Sequence, residues 1–153
     1  MKKRKYLLCV LWFLFILNLS AADYGVARVA TLIKVVDGDT ILVDVQNWQE
    51  VAGKHIYVRF AGIDTPEKND ERPEVRALAQ KAREFTAEKL QKAKIIELRN
   101  IRRDKYFRLL AEVWADGVNL SEELIKAGLA KAYDGGKKAT EWTGASEELR
   151  VRN

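Results

Sequence analysis

Two short segments of this chain contain acidic and basic residues whose spacing could bind a cation and an anion together. Asp39 lies in DGDT, residues 37–40, and Asp64 lies in AGIDTPEK, residues 61–68. Carboxylate oxygens are the ligands that hard cations prefer, so the two residues could hold one ion. Arg59, five residues before Asp64, could bind a phosphate. Taken alone, however, Asp-Gly is also a favoured pair in a two-residue hairpin turn.

A third charged segment, RRDKYFR at residues 102–108, contains side chains that suit phosphate and base contacts. From Arg99 to Arg108 the chain has five cations and one acid. A solvated basic hairpin explains this pattern as well as a binding site does. In the functional interpretation, Lys105 contacts a phosphate, Tyr106 stacks on a base or uses its hydroxyl, and Arg108 binds a phosphoryl oxygen.

The histidine and cysteine content limits the chemistry. His55 is the only histidine, and the only cysteine, Cys9, lies near the N-terminus. Zinc sites built from Cys and His are therefore excluded, and so are hydrolases that need paired histidines. No GxSxG motif is present, which makes a serine triad improbable. A catalytic metal would have oxygen ligands, which indicates calcium, magnesium or manganese.

The N-terminus has the pattern of a secretory signal peptide. Basic MKKRKY is followed by the apolar run LLCVLWFLFILNL and by the small residues Ser20, Ala21 and Ala22. The run is short for a membrane span, which needs about 20 residues, although an uncleaved anchor is an alternative. We expect residues 1–22 to be removed after Ala22. The product, residues 23–153, is then one domain, secreted or periplasmic, without stable membrane association.

Cleavage would change the charge balance of the protein. Four of the 27 basic residues precede the cleavage point, whereas all 22 acidic residues follow it, so the net charge falls from +5 to about +1. A nearly neutral protein has no general cationic field. Binding to nucleic acid would therefore have to rest on local basic patches.

The elements that must position the charged residues follow from the hydrophobic pattern. Residues 27–36, 40–45 and 54–61 are rich in β-branched and aromatic residues and predict three strands of a meander. A helix is predicted over residues 73–90, with Pro73 in its first turn. Its apolar stripe is predicted to contain Val75, Leu78, Ala82, Phe85 and Lys89.

The second half of the chain predicts two more strands and another helix. The strands cover residues 94–101 and 107–115, and Asn119 can cap a helix that runs to Gly128. Residues near Glu147 could form a short third helix. This order predicts an α+β fold with a five-stranded OB-type β-barrel and two to three α-helices. Periodicity alone leaves other α+β arrangements open.

Four motifs together resemble the staphylococcal nuclease (thermonuclease) family in order and approximate spacing. They are TLIKVVDGDT, VRFAGIDTPE, DKYFR and GLAKAY, and they extend from about Thr31 to Tyr133. IDTPE after a strand arginine is the most specific of them. The resemblance implies an OB-fold barrel and a calcium-dependent phosphodiesterase. It also implies a monomer that acts on DNA and RNA, with single-stranded or locally open substrates preferred.

The resemblance also implies roles for individual residues. One calcium ion would have as its ligands Asp39, Asp64 and the backbone carbonyl of Thr65, with Asp37 close by. Glu67 would activate the attacking water, and Arg59 and Arg108 would bind the scissile phosphate. Contacts with the nucleotide would come from Lys105, Tyr106 and Tyr133.

One position departs from the family pattern. Phe107 stands where the usual DKYGR motif has glycine. If the backbone there needs a positive φ, phenylalanine is strained and can re-aim Tyr106 or Arg108, whereas in an ordinary turn it simply packs.

Three rival functions remain open from the sequence. The first is a non-catalytic nucleic-acid-binding module of the same fold. The second is a magnesium-dependent enzyme with a narrower substrate. The third is an unrelated secreted OB-type domain that binds sugar or protein.

Overall fold

The computed structural model describes residues 24–104, 106–136 and Trp142. The predicted signal peptide, Lys105 and the predicted helix near Glu147 lie outside these residues. None of the described helices combines the length and the apolar character that a membrane crossing requires.

The described residues form short strands and three helices in a mixed order along the chain. The strands are β1 Ala27–Asp37, β2 Thr40–Val45, β3 Ile56–Phe60, β4 Ile63–Asp64, β5 Ile96–Arg103, β6 Leu109–Ala115, β7 Val118–Asn119 and β8 Lys131–Ala132. The helices are α1 Glu50–Gly53, α2 Pro73–Lys92 and α3 Leu120–Lys126.

Five of the strands close into a barrel. The sheet order is β3-β2-β1-β5-β6-β7, and a parallel pairing between β3 and β6 joins its two sides. The other pairings in this sheet are antiparallel. This closed mixed barrel with three helices confirms the predicted α+β, OB-type fold.

Strand alternation separates the core from the polar cleft. In β3, Val58 and Phe60 are buried in the barrel, whereas Tyr57 and Arg59 point to its outside, as the sequence predicts. His55, which falls within the predicted strand over residues 54–61, instead precedes β3 and has a φ of 52°. Its N–H donates to Asp44 Oδ1 at 2.8 Å, so it ends the turn before the strand.

The buried face of α2 differs from the predicted stripe. The residues that pack inward are Val75, Ala79, Ala82, Thr86 and Leu90. Leu78, Phe85 and Lys89 are only partly buried, although Phe85 still packs against the core. At the β1–β2 turn the helix comes so close that small side chains, Ala82 and Thr86, form the contact.

The contact between α2 and the β1–β2 turn is close and polar. A Cβ added to Gly38 would lie 2.7 Å from Ala82 Cβ and 3.0 Å from Thr65 Cγ2. Thr86 Oγ1 donates to the Gly38 carbonyl at 2.7 Å, and Arg83 Nε donates to the Val35 carbonyl at 3.1 Å. The long helix therefore fixes the turn that carries both aspartates of DGDT.

Gly38→Ala is expected to lower the free energy of unfolding by about 1–3 kcal/mol, because the new methyl group overlaps Ala82 and Thr65. Chemical denaturation of the purified chain measures this loss. Ala82→Gly, which removes the opposing carbon, should recover part of it when the two changes are combined. Strictly additive losses in the double variant would show that the helix contact is not the cause.

Candidate active site

One cavity brings the predicted site residues together. It has a volume of about 710 Å³ and lies where the β1–β2 turn, the end of β3, β4 with its following loop, the β5–β6 hairpin and the segment after β8 meet. Its wall includes predicted site residues from all five segments: Asp39, Arg59, Asp64, Thr65, Glu67, Tyr106, Arg108 and Tyr133. Lys105, the remaining predicted residue, lies outside the described part of the chain.

The centre of this cleft is an arginine between two buried carboxylates. Arg59 Nη2 donates to Asp64 Oδ1 at 2.9 Å and to the Ile63 carbonyl at 3.2 Å. Its Nη1 forms an ion pair with Asp39 Oδ2. Asp39 and Asp64 are 5% and 3% exposed, so the guanidinium is what compensates two negative charges that are almost out of water.

The charges in the cleft are close enough to influence one another. Burial is the main cause of a lowered pKa for Arg59, and it is opposed by the carboxylates of Asp64 and Asp37. The positive charge of Arg108 also lowers the Arg59 pKa, and the negative charge of Glu67 raises it. Two cations and a reachable carboxylate therefore face the same space as the buried acids.

Asp39 is held in place by hydrogen bonds from two threonines. The N–H and Oγ1 of Thr65 donate to Asp39 Oδ2 at 2.9 and 2.7 Å. Thr40 Oγ1 approaches Asp39 Oδ1 at 3.2 Å. Such charge-assisted bonds fix the carboxylate in one orientation. The positioning role of Thr40 was not predicted, because a threonine at the start of a strand is not unusual.

The oxygen atoms of the cleft suit a hard cation. Asp37 lines the cavity as well, and its Oδ1 is buried without a hydrogen-bond partner in the described structure. A buried carboxylate oxygen without a partner is unusual and is readily satisfied by a cation. No group of three or more His, Cys, Asp or Glu side chains among the described residues is already arranged around a metal position. The donors that fit an ion are therefore two or three carboxylates helped by backbone oxygen.

Asp104 shapes the hairpin that carries the second arginine. Its Oδ1 accepts from the N–H groups of Tyr106 and Arg108 at 2.8 and 3.0 Å, and its Oδ2 accepts from Arg108 Nε at 2.7 Å. Burial alone would raise the pKa of Asp104, but these hydrogen bonds together lower it. Asp104 thus orients Arg108 toward the cleft, a role that the sequence analysis did not assign. An aspartate in a turn typically accepts from the N–H two residues later. The position of Asp104 between two predicted strands was therefore the available clue to this role.

The departure at Phe107 falls at a left-handed position. Its φ is 63°, and the side chain is 83% exposed, so it does not pack. The first of the two alternatives, a strained phenylalanine, therefore holds. Arg108 nevertheless lines the cleft, because Asp104 binds it on both its backbone and its side chain.

For the nuclease activity that the sequence resemblance implies, Asp104→Ala is expected to lower kcat by about 10- to 100-fold, because a misplaced Arg108 would lose its alignment with the substrate. Asp104→Asn keeps an oxygen that can accept the two backbone N–H groups, so it should restore part of the rate. Steady-state cleavage of an oligonucleotide gives kcat and KM for both variants. Wild-type kcat in Asp104→Ala would exclude the positioning role.

The two tyrosines of the cleft come from different segments of the chain. Tyr106 is 66% exposed, and its ring lies 5.4 Å from the Arg108 guanidinium. Tyr133 is placed by the short pairing of β4 with β8, and its N–H donates to the Gly62 carbonyl at 2.9 Å. Its hydroxyl donates to the Gly136 carbonyl at 2.8 Å. Two-residue strands have no detectable periodicity, so this pairing was not predicted.

Comparison with known proteins agrees with this geometry. The family described as "Staphylococcal nuclease homologue" matches residues 57–150, which is more than half of the chain. The chain therefore belongs to the staphylococcal nuclease family, and the predicted resemblance is confirmed.

Its relatives are named as nucleases. The thermonuclease of Staphylococcus hyicus is 37% identical over 102 residues, which cover 66% of this chain and 57% of the relative. The endonuclease YncB of Bacillus subtilis is 39% identical over 103 residues, covering 66% and 46%. An uncharacterized endonuclease of Haemophilus influenzae is 34% identical over 134 residues, covering 87% and 67%. The chain thus spans about half the length of the first two relatives.

Proposed function

We propose that this chain is a secreted or periplasmic nuclease that hydrolyses phosphodiester bonds of DNA and RNA with little sequence specificity. One observation carries the proposal: two arginines, two buried aspartates and a glutamate from four separate segments line a single cleft. The names of the relatives, thermonuclease and endonuclease, support the same activity.

The arginines suit the charge of the reaction. A phosphodiester is anionic, and attack by water adds negative charge around phosphorus. Arg59 and Arg108 both line the cleft, and we propose that their N–H groups bind phosphoryl oxygens there. Arg59 has a second task in the proposal, since it also neutralises Asp39 and Asp64.

Glu67 is the proposed general base. It follows the buried Asp64 and Thr65 on the same loop, but it is itself exposed, so water can reach its carboxylate. In the proposed step, Glu67 takes the proton of the attacking water while the two arginines hold the phosphate. Pro66 between Thr65 and Glu67 limits the flexibility of this link.

One calcium ion is the proposed cofactor, with Asp39, Asp64 and the Thr65 carbonyl as its ligands. A bound calcium ion supplies electrostatic stabilisation of the charge that develops on the phosphoryl oxygens. Extracellular calcium modules work with dissociation constants of about 10⁻⁴–10⁻³ M, so a site with few carboxylates is sufficient outside the cell. The buried Asp37 Oδ1 without a partner supports a cation at this place.

The tyrosines and Lys105 are the proposed contacts for the nucleotide beside the scissile phosphate. The exposed ring of Tyr106 can stack on a base, and stacking requires a base that is not already paired. We therefore propose that single-stranded or locally open DNA and RNA are preferred and that the chain acts as a monomer.

The test is incubation of the purified chain with denatured DNA in calcium, in magnesium and in excess chelator. Gel electrophoresis then shows whether the DNA is cleaved and whether it is retained by the protein. Cleavage in calcium alone supports the proposal. Retention of DNA without cleavage under all three conditions would favour a binding module instead. Cleavage that magnesium supports better than calcium would correct the cofactor, and neither binding nor cleavage would exclude nucleic acid as the partner.

A further inference from the structure

A second, smaller cavity lies next to the cleft and is strongly basic. It has a volume of about 310 Å³ between β1 and α2. We call it the basic groove and define it by the four cations in its wall, Lys34, Lys68, Arg76 and Arg83. Asp37 is the one acidic residue in this wall. The groove therefore concentrates positive charge in a protein whose net charge after the predicted cleavage is close to neutral.

The cations of the basic groove form no ion pair with a carboxylate in the part of the chain that the structure describes. Among the ion pairs between described residues, none includes Lys34, Lys68, Arg76 or Arg83. Asp70 is paired with Arg72, whose hydrogen bonds are the main cause of a lowered pKa of about 2 for Asp70. The charge of Arg76 contributes a little to the same lowering. Arg59 and Arg108 in the cleft, by contrast, both have acidic partners.

Backbone carbonyls fix the two arginines of the groove without cancelling their charge. Arg76 Nη1 donates to the carbonyls of Asp70 and Glu71 at 2.9 and 2.8 Å. Arg83 Nε donates to the Val35 carbonyl at 3.1 Å. A guanidinium held by neutral acceptors keeps its full charge and loses less entropy when it binds an anion.

The basic groove continues the cleft. Asp37 and Lys68 belong to the walls of both cavities, so an extended ligand can pass from one into the other. Arg76 and Arg83 are seven residues apart on α2, which places them about 10 Å apart along the helix axis. That length suits more than one phosphate of a strand, since each strand of a duplex carries one charge for about every 3.4 Å of helix axis.

We propose that the basic groove binds phosphate groups of the nucleic-acid strand on one side of the scissile bond and so favours long substrates over short ones. This inference rests on the proposed function, because it takes the strand in the cleft as the ligand. The groove would contribute to affinity for the chain and would leave the chemical step unchanged.

The test compares the wild type with Arg76→Gln/Arg83→Gln and with Lys34→Gln/Lys68→Gln. Binding of a 5′-fluorescein-labelled oligothymidylate of 12 nucleotides is followed by anisotropy in excess chelator, over a range of salt concentrations. We expect each double variant to bind about tenfold more weakly or worse. The slope of log K against log salt should fall in magnitude by about 1.4, at about 0.7 for each lost phosphate contact on a single strand. A trinucleotide, too short to fill both cavities, should bind Arg76→Gln/Arg83→Gln as it binds the wild type, because neither arginine lines the cleft.

Lys81→Gln/Lys94→Gln is the matched control. It removes two exposed charges that line neither cavity and that form no ion pair among the described residues. Thermal melting shows whether each variant is folded. If Arg76→Gln/Arg83→Gln does not fold, Lys34→Gln/Lys68→Gln still tests the inference. Equal affinity and equal salt slope in wild type, control and groove variants would overturn the inference.

A second measurement separates this inference from the proposed function. In cleavage of the 12-mer, Arg76→Gln/Arg83→Gln, which changes no residue of the cleft wall, should raise KM and leave kcat near the wild-type value. If the chain cleaves nothing, the anisotropy result still decides whether the groove binds a strand. If cleavage is observed but the groove variants bind normally, the nuclease proposal stands and the groove inference is wrong.

Discussion

Replacing Arg59 with alanine is expected to lower the free energy of unfolding by about 3–5 kcal/mol and to slow cleavage by at least 100- to 1000-fold. Both effects come from one side chain. The guanidinium is the shared partner of Asp39 and Asp64, which are almost fully buried, and its removal leaves two carboxylates uncompensated. The same change removes a donor that the proposed mechanism uses on the transition state.

Urea denaturation in chelator measures the stability change, and single-turnover cleavage in calcium measures the rate. Arg59→Ala combined with Asp64→Asn should recover stability but not cleavage, since it removes one of the stranded charges. Arg28→Ala is the control, because its ion pair with Glu97 is solvent-exposed and should be worth less than about 1 kcal/mol. A stability loss in Arg59→Ala no larger than in the control would contradict the structural role.

Glu67→Gln is expected to reduce the single-turnover rate by about 100- to 10,000-fold, the range for loss of a general base. Glutamine has nearly the same size and cannot accept the proton of the attacking water. Because Glu67 is exposed and lies on a loop, the variant should unfold at the wild-type urea concentration.

The binding of an oligonucleotide in chelator shows whether this loss belongs to the chemical step. We expect an unchanged or slightly stronger affinity, since one negative charge near the substrate is removed. Asn69→Ala, two residues further along the loop, lines neither cavity and tests whether any change at this place slows the chemical step. A rate for Glu67→Gln within a few-fold of the wild type would remove Glu67 from the mechanism.

The sequence indicated residues that line one cleft but did not indicate the buried face of the helix that supports it. Asp39, Asp64 and Glu67 could be named as candidates because short motifs carry both residue type and spacing, and their roles stay predictions. The barrel could be found because strands of five or more residues have a clear alternation. The buried face of α2 could not, since Ala82 lies inward where Gly38 leaves room for its Cβ and Thr86 where the Gly38 carbonyl accepts from its hydroxyl.

Side-chain hydrogen bonds and ion pairs account for most of what was missed. Asp104 looked like the one acid in a basic hairpin, yet it accepts three hydrogen bonds that orient Arg108. Arg59 was expected to face a phosphate, and its described partners are the two aspartates assigned to the metal. Partners that lie more than 20 residues apart, such as Asp39 and Thr65, leave no local pattern from which they could be read.

The position of Phe107 shows how such contacts compensate for a departure from a motif. A left-handed residue other than glycine costs roughly 1–2 kcal/mol. The hairpin retains its geometry because Asp104 bonds to the residues on both sides of Phe107, Tyr106 and Arg108. The strain is therefore local, and the arginine beyond it still faces the cleft.

The central claim, hydrolysis of a phosphodiester by water in this cleft, is tested most directly by the fate of the solvent oxygen. The measurement is mass spectrometry of the products after cleavage of a single-stranded DNA oligonucleotide by the purified chain in ¹⁸O-labelled water with calcium. Because the attacking oxygen comes from water, we expect one ¹⁸O atom in the new terminal phosphate for each bond cleaved. Cleavage products whose phosphate lacks the label, or the absence of any cleavage, would contradict it.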